Sequence, residues 1–213
     1  GLLTGQARTG TTPADARVVH TAASLPLSDI VADINKFSNN VMAQQVFLTL
    51  GRVTPGAGSA KGASLSGVGT FERSRAWLDR WWRSRMGPST PQPVVENGSG
   101  LSRDERITAE ALLALLRDAA VHPVAGPVLL QSLAVAGVDG TAIRMGERGH
   151  MKAALGNARV KTGSLRDVAS VAGYVQAQDG STWGVVGIVN HTQAAQARPV
   201  LDALLEWVAT QPR

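Results

Sequence analysis

The sequence predicts an α+β fold in which helices come first and an antiparallel sheet, closed by a terminal helix, comes last. Three observations predict it. The first two thirds carry apolar residues at helical spacing, separated by polar and glycine-rich breaks. The last third changes to short runs rich in Val, Ile and small residues: Arg159 to Leu165, Val168 to Gln178 and Thr182 to Asn190. Asp179-Gly180 between the second and third runs is a hairpin signal, and Val200 to Val208 then sets Leu201, Leu204, Leu205 and Val208 on one helical face.

Taken in order, residues 1–24 are polar and rich in Thr, Gly and Ala, with a short apolar alternation around Arg17–His20, and are expected to form an extended entry segment from a preceding domain. Residues 25–213 form the domain proper. A helix is expected after Leu25-Pro26-Leu27, capped by Ser28 or Asp29, with Ile30, Val31 and Ile34 on its apolar face. The polar knot Asn35-Lys36-Phe37-Ser38-Asn39-Asn40 interrupts it before a second core helix, Val41 to Leu50, which stops at Gly51. A polar cluster between two core helices must satisfy its hydrogen bonds in a low dielectric, which points to a purpose. Thr54 to Gly69 reads as a loop, Thr70 to Met86 as a helix and Gly87 to Pro93 as a turn-rich linker. A second glycine-rich loop, Glu96-Asn97-Gly98-Ser99-Gly100-Leu101-Ser102, precedes helices at Thr108–Ala120 and Val124–Leu133. Asp104 and Glu105 are expected at a solvated helix start, and Asp139-Gly140 in a turn.

Composition narrows the functional classes. Hydrophobic residues are 44% and charged residues 17% of the 213, which suits a globular core and argues against disorder. No apolar run approaches the length a bilayer-spanning helix needs. Cysteine is absent, so disulfides, a cysteine nucleophile and thiolate metal sites are excluded. His20, His122, His150 and His191 lack metal-ligand spacing; no metal and no cofactor are expected. The net charge of +5 permits an anionic partner and selects none. Its densest part, Arg73, Arg75, Arg80, Arg83 and Arg85 interleaved with Trp77, Trp81 and Trp82, is accounted for by an amphipathic surface helix, so no nucleic-acid partner is expected.

Two short patterns carry chemistry. Ser38-Asn39-Asn40 sits at the break between two helices, and Lys161-Thr162-Gly163-Ser164 sits on the first strand of the strand–strand–strand–helix ending. Each is a weak signal alone. Together with Ile34-Asn35-Lys36, Gly98-Ser99-Gly100-Leu101-Ser102-Arg103 and Ala136-Gly137-Val138-Asp139-Gly140-Thr141, in that order along the chain, they give a sequence that resembles the class C penicillin-binding proteins of low molecular mass. Those are D-alanyl-D-alanine carboxypeptidases and endopeptidases of the S13 family. The resemblance runs from about residue 24 to the end and implies the penicillin-binding transpeptidase/serine β-lactamase-like fold, an antiparallel sheet packed between helices.

The resemblance further implies a set of roles. Ser38 relays a proton toward the leaving amine, and Asn40 holds the substrate's acyl-side amide. Lys161 stabilises the substrate carboxylate and anionic intermediates. Thr162 and Ser164 offer hydroxyls to the terminal carboxylate, and the Ser164 N–H is an oxyanion donor. Gly163 leaves room for substrate backbone, and Lys36 adds charge near the site. The family's nucleophile lies in a Ser-x-x-Lys motif, which this chain lacks: the residues three before Lys36, Lys61, Lys152 and Lys161 are Asp33, Gly58, Gly149 and Ala158. Because the chain also starts Gly1-Leu2-Leu3 without a leader, it is expected to be a C-terminal piece, inactive alone, partnered by a missing N-terminal segment of the same protein. Asn97 stands where the family more often has Asp. The implied ligands are peptidoglycan peptides ending in D-Ala-D-Ala and β-lactam antibiotics, and the implied location is periplasmic or extracytoplasmic. Three other possibilities stay open: Ser38 and Asn40 could only cap the second helix, the chain could be a cell-wall or β-lactam-binding module without catalysis, and, remotely, it could be a basic nucleic-acid-binding module using Arg80 and Arg83.

Overall fold

The protein is described by a computed structural model covering residues 4–6, 9–54 and 65–212. Its elements run α1 (Leu27–Phe37), α2 (Asn40–Leu50), α3 (Phe71–Met86), α4 (Ala109–Val121), α5 (Ala125–Ser132), β1 (Ala134–Val135), a 3-10 segment (Gly140–Arg148), β2 (Ala158–Leu165), β3 (Val168–Gln176), β4 (Thr182–Asn190), a short 3-10 turn (Ala194–Ala197) and α6 (Arg198–Ala209). The sheet is antiparallel in the order β1-β2-β3-β4. The α+β class and all three expected strands are present, the second ending at Gln176 because residues 177–181 form the hairpin loop around Gly180.

Side-chain alternation gives the sheet two working faces. Val160, Ala169, Val171, Val175 and Val185 face α6 and bury Leu201, Leu205 and Val208 in the main core. On the opposite face Ala172, Tyr174 and Val186 meet Leu116 of α4 and Leu129 and Leu133 around α5, and the Tyr174 hydroxyl donates to the Leu116 carbonyl at 2.6 Å. Helices α1, α2 and α3 stack beyond this second layer. Neither α1 nor α2 is the core helix the sequence suggested. No residue of α1 is buried and only Phe47 of α2 is: the expected face Ile30, Val31 and Ile34 is half-buried, while Leu27, Phe37 and Val41 stay 62%, 66% and 70% exposed. On α3, Trp82 is buried while Trp77 and Trp81 stack at 6.4 Å.

Several local expectations change. α1 starts at Leu27 after Pro26 with no side-chain cap, since the Ser28 hydroxyl bonds Asp29 instead. Glu105 does not start a helix: its carboxylate accepts the Glu96 and Asn97 N–H groups and ties the glycine-rich loop, while Thr108 caps α4. Asn97 shapes that loop through its amide oxygen, which accepts from the Ser99 N–H and hydroxyl. The expected loop from Thr54 to Gly69 lies outside the described residues over 55–64. Residues 9–24 are exposed and add no strand to the sheet. Among the described residues no single helix is long and apolar enough to cross a membrane.

Glu206 of α6 fastens the approach to β2. It accepts the N–H groups of Lys152, Ala153 and Ala154 at 2.8, 3.0 and 3.0 Å. Burial would raise its pKa, but these three donors and the Lys152 charge outweigh that and hold it below the ordinary value of 4.5. A lowered carboxylate pKa stabilises the fold above the unfolded value and loses that contribution as pH falls through the folded one. Glu206→Gln is therefore expected to lower the melting temperature at neutral pH by about 2–4 °C, the shift of ~1 kcal/mol in a chain this size, with the gap to wild type closing in acid. Melting curves by circular dichroism across pH check it.

Candidate active site

The polar knot between α1 and α2 owes its shape to one residue. Ser38 ends α1 in the left-handed region, at φ 56 and ψ 47, and the N–H of the next residue, Asn39, donates back to the Ile34 carbonyl at 3.2 Å. Serine carries a Cβ penalty there, so the conformation is held by what surrounds it. Asn39 then caps α2, its side-chain oxygen accepting from the Met42 N–H at 3.1 Å. Capping thus falls to Asn39, and Ser38 and Asn40 are not used for it. The Asn40 side chain makes no hydrogen bond among the described residues.

Lys36, two residues before Ser38, pins this corner. Its ammonium meets the Asp139 carboxylate at 2.5 Å and donates to the Leu133 carbonyl at 3.3 Å. The other Asp139 oxygen accepts the Val135 N–H at 2.7 Å. Burial acts to raise the Asp139 pKa, but the Lys36 and Val135 hydrogen bonds, with the Lys36 and Arg159 charges, bring it below the usual aspartate value. Gly140 next door sits at φ +54 with its missing Cβ only 2.4 Å from the Lys36 carbonyl, so a side chain there would push α1 off the turn. The Lys36 charge is met by Asp139, and its place in the structure is that of a tether fixing where Ser38 stands.

From the sheet, Lys161 reaches this corner. Its ammonium donates to the Ser38 hydroxyl at 3.0 Å and to the Thr162 carbonyl at 2.8 Å, across 123 residues of sequence in the first case. No carboxylate among the described residues pairs with it, and burial pushes its pKa below 10.5. The rest of the strand follows from alternation. Thr162 and Ser164 lie on the other face of β2 from Lys161, and the Thr162 hydroxyl donates to Thr141 at 3.1 Å. β1 pairs only with Arg159 and Val160, so from Lys161 onward one edge of β2 has no strand beside it among the described residues. A Cβ on Gly163 would come within 2.4 Å of the Ser170 hydroxyl on β3, so the absent side chain makes room first for that neighbour.

The structure therefore brings Ser38 and Lys161 together and leaves Asn40 unengaged at the start of α2. It sets Thr162 and Ser164 along an open strand edge and commits Lys36 to Asp139. Asp139 and Thr141 carry part of the resemblance, but the sequence assigns no role to Asp139 beyond its turn and none to Thr141, Arg144 and Arg148 of the 3-10 segment. The order Asp139-Gly140-Thr141 beside the lysine-bearing strand was the available signal. His122 and His191 use their Nδ1 atoms to accept backbone N–H groups at positions 124, 125 and 193.

Known proteins share this arrangement of chain. A D-alanyl-D-alanine carboxypeptidase of an Actinomadura species is 34% identical over 188 residues, which is 86% of this chain and 32% of that protein. Penicillin binding protein 4 of Haemophilus influenzae, solved with a β-lactam, superposes with a TM-score of 0.68 at 22% identity, covering 88% of this chain and 42% of that one. A penicillin G-acylated predatory endopeptidase of Bdellovibrio bacteriovorus superposes with a TM-score of 0.59 at 18% identity, covering 88% and 47%. This chain thus spans about a third of the curated relative's length. With the sequence itself matching from residue 2 to residue 211, the chain belongs to the D-Ala-D-Ala carboxypeptidase 3 (S13) family.

Proposed function

We propose that this chain is the C-terminal part of a serine-type D-Ala-D-Ala carboxypeptidase/endopeptidase that acts outside the cytoplasm on peptidoglycan stem peptides through an acyl-enzyme, and that β-lactams acylate it at the same place. The observation that carries the proposal is the 3.0 Å contact between the Lys161 ammonium and the Ser38 hydroxyl. An acyl transfer needs a group to hand a proton to the leaving amine and a cation to stabilise negative charge, and these two supply both. Asn40 and the open edge from Lys161 to Ser164 would hold the peptide by its amides, in the manner of strand addition. The nucleophile and its lysine come from outside this stretch. The same missing segment is expected to cover the outer edge of β4, which has no strand partner among the described residues and leaves Trp183 42% exposed.

The full-length protein should release D-alanine from a peptide ending in D-Ala-D-Ala and gain the mass of one β-lactam. The 213-residue chain alone should do neither, because binding groups without a nucleophile form no acyl-enzyme. Intact-mass spectrometry after incubation with penicillin G reads both. An adduct on the isolated chain would overturn the assignment of the nucleophile to another segment. A second reading, a β-lactam- or cell-wall-binding module, is favoured where the full-length protein also lacks a Ser-x-x-Lys motif. Penicillin binding by the full-length protein without any covalent adduct would select it.

A further inference from the structure

A cavity of about 220 Å³ lies on the face of β2 turned away from Lys161, between the strand, the 3-10 segment and the start of α6. Thr162 and Ser164 form one wall, Arg144 and Arg198 the others, and Arg148 with Asp202 closes it. Arg148 and Asp202 satisfy each other through two hydrogen bonds of 2.6 Å. Three guanidiniums against one carboxylate leave two positive charges, and they belong to Arg144 and Arg198. Neither side chain has a hydrogen bond or ion pair with any described residue.

We infer that Arg144 and Arg198, with the Thr162 and Ser164 hydroxyls, form the receptor for the terminal carboxylate of the substrate. The inference rests on the D-Ala-D-Ala reading. A guanidinium fork matches a carboxylate in shape and charge, and hydroxyls complete its acceptor sites. The volume is below the roughly 300 Å³ at which pockets for drug-sized ligands begin, so it suits a small anionic end group. Alternation along β2 then divides the charges: Lys161 serves the reacting centre on one face, and the two arginines serve the end group on the other. Because the arginines are exposed, they can be truncated without opening the core.

The test uses the full-length enzyme with a D-Ala-D-Ala peptide as the free acid and as the C-terminal carboxamide. Arg144→Ala and Arg198→Ala should each lower kcat/KM on the acid by about tenfold or more and the double variant by about a hundredfold, the carboxamide being nearly unaffected. Arg→Lys at either position should restore part of the loss. Variants that match wild type on the acid, or that lose equally on acid and carboxamide at unchanged melting temperature, would overturn the inference. If wild type cleaves neither peptide, the D-Ala-D-Ala reading is what fails. N-acetyl-D-alanine titrated into the full-length protein still reports on the cavity. Amide shifts at Thr162 and Ser164 that vanish in the double variant support the receptor, and no shift in wild type overturns it.

Discussion

Lys161→Met is expected to act in opposite directions on activity and stability. Under the function proposed above, it should lower kcat/KM for D-alanine release by the full-length protein by about 10²–10⁴-fold, the range for removing a positioned proton-transfer or charge-stabilising group. In the isolated fold it should raise the melting temperature by about 2–4 °C, the shift of ~1 kcal/mol in a chain of this length. Both effects have one cause. Lys161 is drawn out of water with only a hydroxyl and a carbonyl for company and no carboxylate among the described residues. Burial lowers its pKa below 10.5, so between the two values the unfolded chain holds more protons and stability climbs with pH. The penalty is fully present at neutral pH and fades as pH rises through the lowered folded value. The wild type should therefore gain on the methionine variant in alkali, read by melting curves from neutrality to the ordinary lysine value. Equal melting temperatures at neutral pH would mean the ammonium is well solvated, and the unpaired-charge account would fall. Under the proposed function, a cation held without a counter-ion is what a negatively charged substrate would complete, at a cost in stability.

What the sequence disclosed about this fold follows from the range over which each signal acts. The hairpin at Asp179-Gly180 and the closing helix were legible because turn chemistry and helical periodicity are local. β1 is two residues long and Gly140–Arg148 is 3-10, so neither repeats long enough to show a period. Ser38 and Lys161 were legible as motifs, but their meeting was carried by resemblance alone, since 123 residues separate them. Lys36 shows the limit most clearly. Its position in the knot suggested charge for the substrate, whereas Asp139, 103 residues on, takes that charge in an ion pair. The two helices flanking the knot show the same limit by degree: the expected stripe Ile30, Val31 and Ile34 is half-buried rather than buried, and on α2 only Phe47 is buried.

Arg148→Met is expected to be the most destabilising single change proposed for this fold. Asp202 is 1% exposed on α6, and among the described residues both its oxygens are bonded only by Arg148, at 2.6 Å each. The pair raises the Arg148 pKa through that hydrogen bond and ties the 3-10 segment to α6, which together frame the wall behind β2. Removing the cation leaves a carboxylate that is 1% exposed without its hydrogen-bond partner, which costs about 3–5 kcal/mol. Removing the anion is milder, because Arg148 is 29% exposed and its head can turn outward. Asp202→Leu should therefore lose less than Arg148→Met, and the double variant should recover most of the single loss, as buried pairs replaced by apolar groups commonly do. Urea unfolding of the four proteins forms a complete double-mutant cycle. A loss under ~1 kcal/mol for Arg148→Met, or a double variant worse than the sum of the singles, would mean that Asp202 is held by groups other than Arg148.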